Sequence, residues 1–161
     1  MATGGINSGQ LNFDISEIKG DFVIVAALWH RDIVDNLVKG ARETLLSKGV
    51  LDENIRLVRV PGAFEIPLTC NNVIKSFEVE SVIALGVIIR GDTPHFDYVA
   101  AGCTNGIVQV SLQTGVPISF GVLTLDSYDQ AAERSGVGPE NKGTEAALTS
   151  LEMACLLKKI G

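Results

Sequence analysis

The sequence has no hydrophobic run long enough to cross a membrane, although it is apolar overall. Hydrophobic residues make up 46% of its 161 residues. The longest apolar run, Val82 to Ile89, has the length of a β-strand, whereas a membrane-spanning helix needs about 20 apolar residues. We therefore expect no membrane partner. We expect the apolar surplus to be covered in a helix-flanked sheet or in subunit contacts.

A basic stripe is also absent, which argues against a nucleic-acid partner. The 13 Lys and Arg residues are outnumbered by 19 Asp and Glu residues, and the net charge is −6. A nucleic-acid-binding surface needs clustered positive charge to displace counterions from the phosphates. We expect no nucleic-acid partner, because the scattered acidic residues are typical of an ordinary solvated surface.

Cysteine is scarce, and its spacing fits neither a disulfide framework nor a zinc site. The three cysteines, Cys70, Cys103 and Cys155, are odd in number and far apart in the chain. We therefore expect reduced thiols and a cytoplasmic location. The sequence also contains no glycine-rich dinucleotide fingerprint and no P-loop, so we expect neither a metal nor a cofactor.

Four apolar segments alternate with helical patterns along the chain. The predicted strands cover residues 22–28, 55–60, 81–89 and 118–124, and the predicted helices cover 32–48, 64–76, 94–114, 127–135 and 144–159. This alternation indicates a parallel sheet with helices on both faces, in one domain over residues 1–161. A ligand is expected beyond the carboxyl ends of the strands. Residues 1–12 lack the pattern of a signal peptide and predict a flexible arm.

Two predicted helices suggest subunit contacts. The third helix carries small residues, which allow another helix to approach closely: Ala100, Ala101, Gly102, Gly106 and Ser111. The last helix is apolar on more than one face, through Ala147, Leu148, Leu151, Met153, Ala154, Leu156 and Leu157. Core packing accounts for part of this surplus, and a subunit interface is the favoured explanation for the rest.

The turn after the third predicted strand has the features of an anion site. Thr93 and Pro94 are typical of a helix N-cap followed by the first helical residue. The amides that open this helix would face the ligand crevice and suit a phosphate. Gly91 permits a close backbone approach, and His95 is a candidate for moving protons near neutral pH. The alternative is an ordinary capped helix with a solvated histidine.

Three further positions offer chemistry to a ligand at the same edge. Trp29 follows the first predicted strand, where an exposed indole suits stacking on a flat ring. Glu65 lies in a rigid turn between Pro61 and Pro67, and its carboxylate suits a ligand rich in hydroxyl groups. Arg134 would bind phosphate through its planar fork of donors. The structural alternatives are a partly buried Trp, a Glu at a helix N-terminus and a solvated Arg.

Three motifs in this order resemble the lumazine synthase family. They are Val-Pro-Gly-Ala-Phe-Glu-Ile-Pro at 60–67, Arg-Gly-x-Thr-x-His-Phe at 90–96 and Asn-Lys-Gly at 141–143, within a match over about residues 12–159. The resemblance implies a flavodoxin-like three-layer sandwich with a four-stranded parallel sheet flanked by helices. It implies a transferase that condenses 5-amino-6-(D-ribitylamino)uracil with 3,4-dihydroxy-2-butanone 4-phosphate to 6,7-dimethyl-8-ribityllumazine, the penultimate step of riboflavin biosynthesis.

The resemblance also implies a role for individual residues. His95 would be the general acid and base, and the phosphate would be held by Asp92, Thr93 and Arg134. The ribitylaminouracil would be contacted by Trp29, Ala63, Phe64, Glu65, Val87, Ile88, Ile89 and Phe120. Phe120 would reach the ring from a neighbouring subunit, because the family assembles as pentamers, sometimes twelve of them in an icosahedral shell. Riboflavin synthase is a further candidate partner.

The chain departs from the family pattern in three places, one of which is Gly138, where many relatives carry a lysine. Two other interpretations stay open. Many relatives have Phe-Asn where this chain has Trp29 and His30. Residue 92 is acidic, so we expect Asp92 to meet the phosphate through its backbone N–H with its carboxylate turned away. The alternatives are a binding protein that holds a flavin or lumazine without turnover, and a container whose pentamer contacts are its function.

Overall fold

The computed structural model describes residues 14–161, so the arm predicted over residues 1–12 lies outside the described residues. The strands are β1 (Asp21–Ala27), β2 (Ile55–Val60), β3 (Val79–Ile89) and β4 (Ile118–Leu125), paired in parallel in the order β2-β1-β3-β4. The α-helices of the described part are α1 (Arg31–Ser47), α2 (Ile66–Ser76), α3 (His95–Thr114), α4 (Tyr128–Ser135) and α5 (Lys142–Ile160). The predicted four-stranded parallel sheet is confirmed.

The sheet separates two apolar cores, which makes the fold a three-layer sandwich. On one face, Ile24 and Leu85 belong to a cluster with buried residues of α1, α4 and α5. On the other face, Val25 and Ala84 belong to a cluster with buried residues of α2 and α3. Successive residues of a strand point to opposite faces, so a sheet covered on both sides needs the continuous apolar runs seen in the sequence. The predicted flavodoxin-like arrangement is confirmed.

The predicted start of the third helix was wrong by one residue. The helix begins at His95, and Pro94 is its N-cap, because the ψ angle of Pro94 is 2° and therefore not helical. The Thr93 hydroxyl still accepts a long hydrogen bond of 3.5 Å from the His95 N–H. The predicted second helix likewise opens with a separate 3-10 turn, Ala63–Glu65, before α2. Gly49 and Gly115 follow their helices with positive φ, the conformation that favours glycine at the end of a helix.

The apolar surplus of the last helix is used mainly inside the chain. Ala147, Leu148, Leu151 and Ala154 are buried, because α5 packs on α1 as well as on β3 and β4. Among its predicted interface residues, Leu156 is the most exposed, at 44%. The predicted subunit interface on this helix is therefore largely accounted for by the core of the same chain.

Two of the small residues on α3 admit another segment of the same chain. A Cβ added to Gly102 would lie 2.6 Å from the ring of Phe64, and one added to Gly106 would lie 2.7 Å from Pro67. These glycines therefore allow the turn between β2 and α2 to press against α3. None of the helices in residues 14–161 has the length and apolar character needed to cross a bilayer.

Asn141 joins three helices at the end of the chain's last loop. It is buried and is the N-cap of α5, where its Oδ1 accepts hydrogen bonds from the N–H groups of Gly143 and Thr144 at 2.8 and 3.2 Å. Its Nδ2 donates to the carbonyl of Asn36 on α1 and to the carbonyls of Ser135 and Gly136 at the end of α4, at 3.0 to 3.1 Å. One side-chain amide thus provides both the acceptor for the first N–H groups of α5 and the donor for carbonyls at the end of α4 and on α1.

The cysteines are buried and do not form disulfides. Cys70 and Cys103 lie in the core between the sheet and the α2–α3 layer. Burial raises the pKa of the Cys70 thiol to about 12, with a further contribution from the nearby Cys103. Burial raises the pKa of the Cys103 thiol to about 11, and it also raises the pKa of Cys155. These thiols are packing groups and not nucleophiles.

Replacing Asn141 should destabilise the protein strongly. Asn141→Asp retains the capping oxygen but turns the donating amide into a carboxylate that faces three carbonyl oxygens. We expect a loss of about 3–5 kcal/mol in the free energy of unfolding, measured by denaturant unfolding. Ser127→Ala is the matched control, because Ser127 caps α4 through a single bond to the Gln130 N–H and should cost only about 1 kcal/mol. Equal losses in the two variants would contradict this account.

The three thiols should stay unmodified in the native protein at pH 8. With pKa values of about 11 and 12 for Cys103 and Cys70, about a thousandth or less of either thiol is ionised at that pH, compared with about a quarter of an exposed cysteine. Labelling with an aromatic disulfide reagent, followed by the absorbance of the released thiolate, should proceed only after unfolding in urea. Rapid labelling of Cys70 or Cys103 in the folded protein would contradict the assignment.

Candidate active site

A cavity of about 690 Å³ opens at the carboxyl edge of the sheet. It lies beyond β1, β2 and β3 and beside the first turns of α3, at the point where the chain order of the strands reverses. Its volume is in the range of sites for small organic ligands. It is lined by Trp29, His30, Pro61, Gly62, Ala63, Phe64, Glu65, Val87, Ile88, Ile89, Gly91, Thr93, His95, Phe96, Tyr98 and Val99.

Trp29 forms an aromatic wall at the mouth of this cavity, with 71% of the residue exposed. Its backbone N–H donates to the Pro61 carbonyl at 3.3 Å, which extends the β1–β2 pairing beyond the strands. His30 then turns the chain into α1 with φ 54° and ψ 49°, the one non-glycine residue with positive φ in residues 14–161. This left-handed turn holds Trp29 at the edge of the sheet with its indole exposed.

The turn after β2 supplies a second wall, formed by Ala63 and Phe64. One oxygen of Glu65, Oε2, accepts a hydrogen bond from the Gly62 N–H at 2.9 Å. Oε2 therefore acts as the structural alternative predicts, as a carboxylate oxygen that accepts a bond at a helix N-terminus. The residue is exposed and lines the cavity, so its other oxygen is available to a polar ligand.

The end of β3 contributes its backbone because β3 is longer than its neighbour β1. The register of β3 with β1 ends at the pair Ala26 and Leu85, whereas its register with β4 continues to the pair Ile89 and Leu125. From Val87 to Ile89, the backbone edge that faces away from β4 has no strand beside it. Peptide groups on this edge can bond to a ligand in the cavity, as a sheet would bond to another strand.

The segment from Gly91 to Thr93 presents three backbone amides that need an acceptor. None of these N–H groups has an acceptor within residues 14–161, and all three residues are exposed. A Cβ on Gly91 would meet no atom within 4 Å, so contacts inside the chain do not require glycine there. Consecutive unpaired amides before a helix N-terminus form a site for an anion. Gly91 and Thr93 line the cavity, and Asp92 does not.

His95 opens α3 beside this amide segment and is exposed to the cavity. Its imidazole has no hydrogen-bond partner within the described residues, so a bound ligand would be its nearest partner for proton transfer. Phe96, Tyr98 and Val99 also line the cavity. Sequence reasoning did not pick out Tyr98 and Val99, although a spacing of three and four residues from His95 puts them on the same helix face.

Phe120 and Arg134 lie elsewhere, in a second cavity of about 460 Å³ along the edge strand β4. This cavity shares no lining residue with the first. Arg134 belongs to α4, which packs on the sheet face opposite α3. The structure therefore does not bring Arg134 together with Thr93 and His95 within one chain. Phe120 is 46% exposed.

The second cavity also contains a cation that sequence reasoning left out of the site. Lys142 lines it, and its Nζ pairs with Glu145 Oε2 at 2.6 Å. Arg134 donates from Nη1 to the Gln130 carbonyl at 3.0 Å and lies 3.6 Å from Glu133 Oε2. Its side chain is 43% exposed, so part of its donor fork stays accessible. Among the described residues, no three His, Cys, Asp or Glu side chains converge on a metal position.

One comparison with known proteins bears on this arrangement. The sequence model of the family described as 6,7-dimethyl-8-ribityllumazine synthase matches residues 19–158. The match spans all four strands and reaches almost to the end of α5.

Proposed function

The chain belongs to the 6,7-dimethyl-8-ribityllumazine synthase family, and from this premise we propose the reaction that it catalyses. Members of the family are oligomeric transferases of riboflavin biosynthesis that act on small molecules. The proposed substrates are 5-amino-6-(D-ribitylamino)uracil and 3,4-dihydroxy-2-butanone 4-phosphate. The proposed product is 6,7-dimethyl-8-ribityllumazine, released with phosphate and water.

The observation that carries this proposal is the set of groups that converge on the first cavity. Trp29 and Phe64 offer apolar faces to a pyrimidine, and the open backbone edge of Val87–Ile89 offers donors and acceptors to its polar rim. Glu65 has an oxygen for the ribityl hydroxyls. The unpaired amides of Gly91–Thr93 suit a phosphate, and His95 follows them directly in the chain.

The proposed chemistry needs one group that both removes and returns a proton. The 5-amino nitrogen adds to the ketone carbon, and loss of water leaves an imine. Removal of a proton from the adjacent carbon breaks the C–O bond to phosphate, which leaves with the bonding electrons, and the resulting enol becomes a ketone. The 6-amino nitrogen then closes the ring and a second water is lost. We assign to His95 the removal of the carbon-bound proton and its return to the enol.

Most of the remaining catalysis is positioning and neutralisation of charge. Two substrates held against Trp29 and the Gly91–Thr93 amides react as if they were one molecule. The leaving phosphate gains negative charge, and backbone amides stabilise that charge without having to reorganise. We propose that this positioning accounts for more of the rate than proton transfer does.

We further propose that a neighbouring subunit completes the site with Phe120 and Arg134. Within one chain, these residues lie in the second cavity and not beside His95. Because Phe120 and Arg134 line the same surface, one docking event would deliver both an aromatic ring and a guanidinium to the first cavity of another copy. A homo-oligomer, a pentamer or a multiple of pentamers, is the assembly we propose.

Exposed apolar side chains on α3 support such an assembly. Tyr98, Val108 and Leu112 are 73%, 51% and 80% exposed. A patch of this kind on a surface helix is typical of an interface. The buried, unpaired cysteines are consistent with a reducing compartment, and we propose a cytoplasmic location for this enzyme.

The purified protein should form the lumazine product from the two substrates, with one phosphate released per lumazine. His95→Ala should lower turnover by about ten- to a thousand-fold, the usual value of general acid–base catalysis. The measurements are lumazine fluorescence and phosphate release. The control is quenching of Trp29, the single tryptophan, by the pyrimidine substrate alone, which should be unaffected by the substitution.

The same assay separates the enzyme from a binding protein of the same fold. Quenching of Trp29 without formation of lumazine in the wild-type protein would support the binding protein and exclude the enzyme. Turnover that His95→Ala leaves unchanged would exclude His95 as the proton-transfer group.

Two impaired variants should restore activity to each other if the site is shared. His95→Ala damages the first cavity, and Arg134→Ala damages the second surface. When the two variants are co-expressed with different tags and isolated as mixed oligomers, about a quarter of the sites should combine an intact His95 with an intact Arg134. Activity should rise toward about a quarter of the wild-type value.

The control for this experiment is a mixture of the two homo-oligomers without subunit exchange, which should gain nothing. If His95 and Arg134 act within one chain, no mixed oligomer contains a complete site. Mixed oligomers no more active than the two parents would therefore contradict a shared site.

A further inference from the structure

Arg90 lies between the end of β3 and the amide segment, and its side chain is held on three sides. Its guanidinium donates from Nε to Asp126 and from Nη1 to Asp97, each at 3.2 Å. The same group stacks over the ring of Phe96, with Cζ at 4.1 Å from the ring centroid. Its backbone N–H donates to the Leu125 carbonyl at 2.9 Å. Arg90 therefore connects the ends of β3 and β4 to the first turn of α3.

These contacts bracket the segment that carries the unpaired amides. Residues 91–94 are exposed and lie outside any helix or strand, and the His95 N–H bond to Thr93 Oγ1 is long, at 3.5 Å. The contacts of the segment itself therefore fix its shape only weakly. The Arg90 side chain bridges the two ends of this segment, because Arg90 precedes the segment and its partners Asp97 and Phe96 follow it.

The positive charge of Arg90 is balanced by two carboxylates. One guanidinium faces Asp97 and Asp126, and Asp97 lies on the same first turn of α3 that would receive an anion. The positive charge therefore balances carboxylates near the site and is not directed at a ligand. Arg90 does not line the first cavity, so its contacts act on the segment and not on a ligand in that cavity.

We propose that Arg90 is a positioning residue, which holds the Gly91–Thr93 amides and His95 in the geometry that receives the phosphate of the second substrate. This role rests on the proposed function. The partners of Arg90 are 59% and 75% exposed, and exposed ion pairs contribute little to stability. Removing Arg90 should therefore affect catalysis much more than folding.

The chain contains a matched control in Arg56. Like Arg90, Arg56 pairs with an aspartate (Asp21) and stacks over a phenylalanine (Phe77), with 4.6 Å from Cζ to the ring centroid. It sits near the amino end of β2 and lines neither cavity. Its partner Asp21 is only 11% exposed, so its loss should cost more stability than the loss of Arg90.

The test compares Arg90→Gln with Arg56→Gln. Arg90→Gln should raise KM for the ketose phosphate by about tenfold and lower kcat by about tenfold, because the amides and His95 lose their fixed arrangement. KM for the pyrimidine and its quenching of Trp29 should change by less than about twofold. Arg56→Gln should leave all kinetic constants within about twofold but lower Tm more than Arg90→Gln does. Arg90→Lys should recover only part of the loss, because an ammonium cannot bridge both carboxylates in a fork.

A readout without turnover separates this proposal from the proposed function. Equilibrium dialysis with inorganic phosphate should show binding to the wild-type protein that Arg90→Gln weakens about tenfold and Arg56→Gln does not. A wild type that binds phosphate in this way but makes no lumazine refutes the proposed function and retains Arg90 as an organiser of the anion site. Kinetic and phosphate-binding changes in Arg90→Gln no larger than those in Arg56→Gln overturn the proposal. If either Gln variant fails to fold, the Lys variants of both positions are compared by the same criterion.

Discussion

The site depends on a mismatch of length between two neighbouring parallel strands. β3 continues past the last residue of β1 with which it pairs, while β4 accompanies it to its end. The backbone at the end of β3 is therefore unpaired on the side that faces the cavity, and the length of β3 determines where the chain turns toward α3. Trp29, Phe64 and the Gly91–Thr93 amides surround this unpaired backbone because each follows the end of a strand.

The second constraint is the sheet itself, which divides the functional residues between its two faces. α3 carries His95 on one face, and α4 carries Arg134 on the other. The covered sheet separates these two helices within one chain. The role proposed for Arg134 therefore requires a second copy of the chain. The exposed Phe120 on the edge strand and the exposed apolar residues of α3 favour the second copy.

Sequence reasoning located the elements well because the relevant forces are local or periodic. Apolar runs bounded by turns identified all four strands, and β2 was predicted at its observed bounds, Ile55–Val60. An error occurred at Pro94, where the proline left its own residue non-helical. On α5, which packs on α1 and on the sheet, the amino-acid pattern of a doubly buried helix is the same as that of an interface helix, so the pattern could not distinguish them.

The sequence by itself determined the fold class, the family and the residue types available for chemistry, because hydrophobic periodicity and ordered motifs are written along the chain. Tertiary structure decided which of those residues meet. It placed nine of the twelve predicted site residues in one cavity, put Phe120 and Arg134 in another, and left Asp92 outside both. It also decided that Arg90 contacts Asp97 and Phe96 of α3 together with Asp126, which follows β4. Strand register and the face on which each helix packs determine such distances, and neither can be read from spacing along the chain.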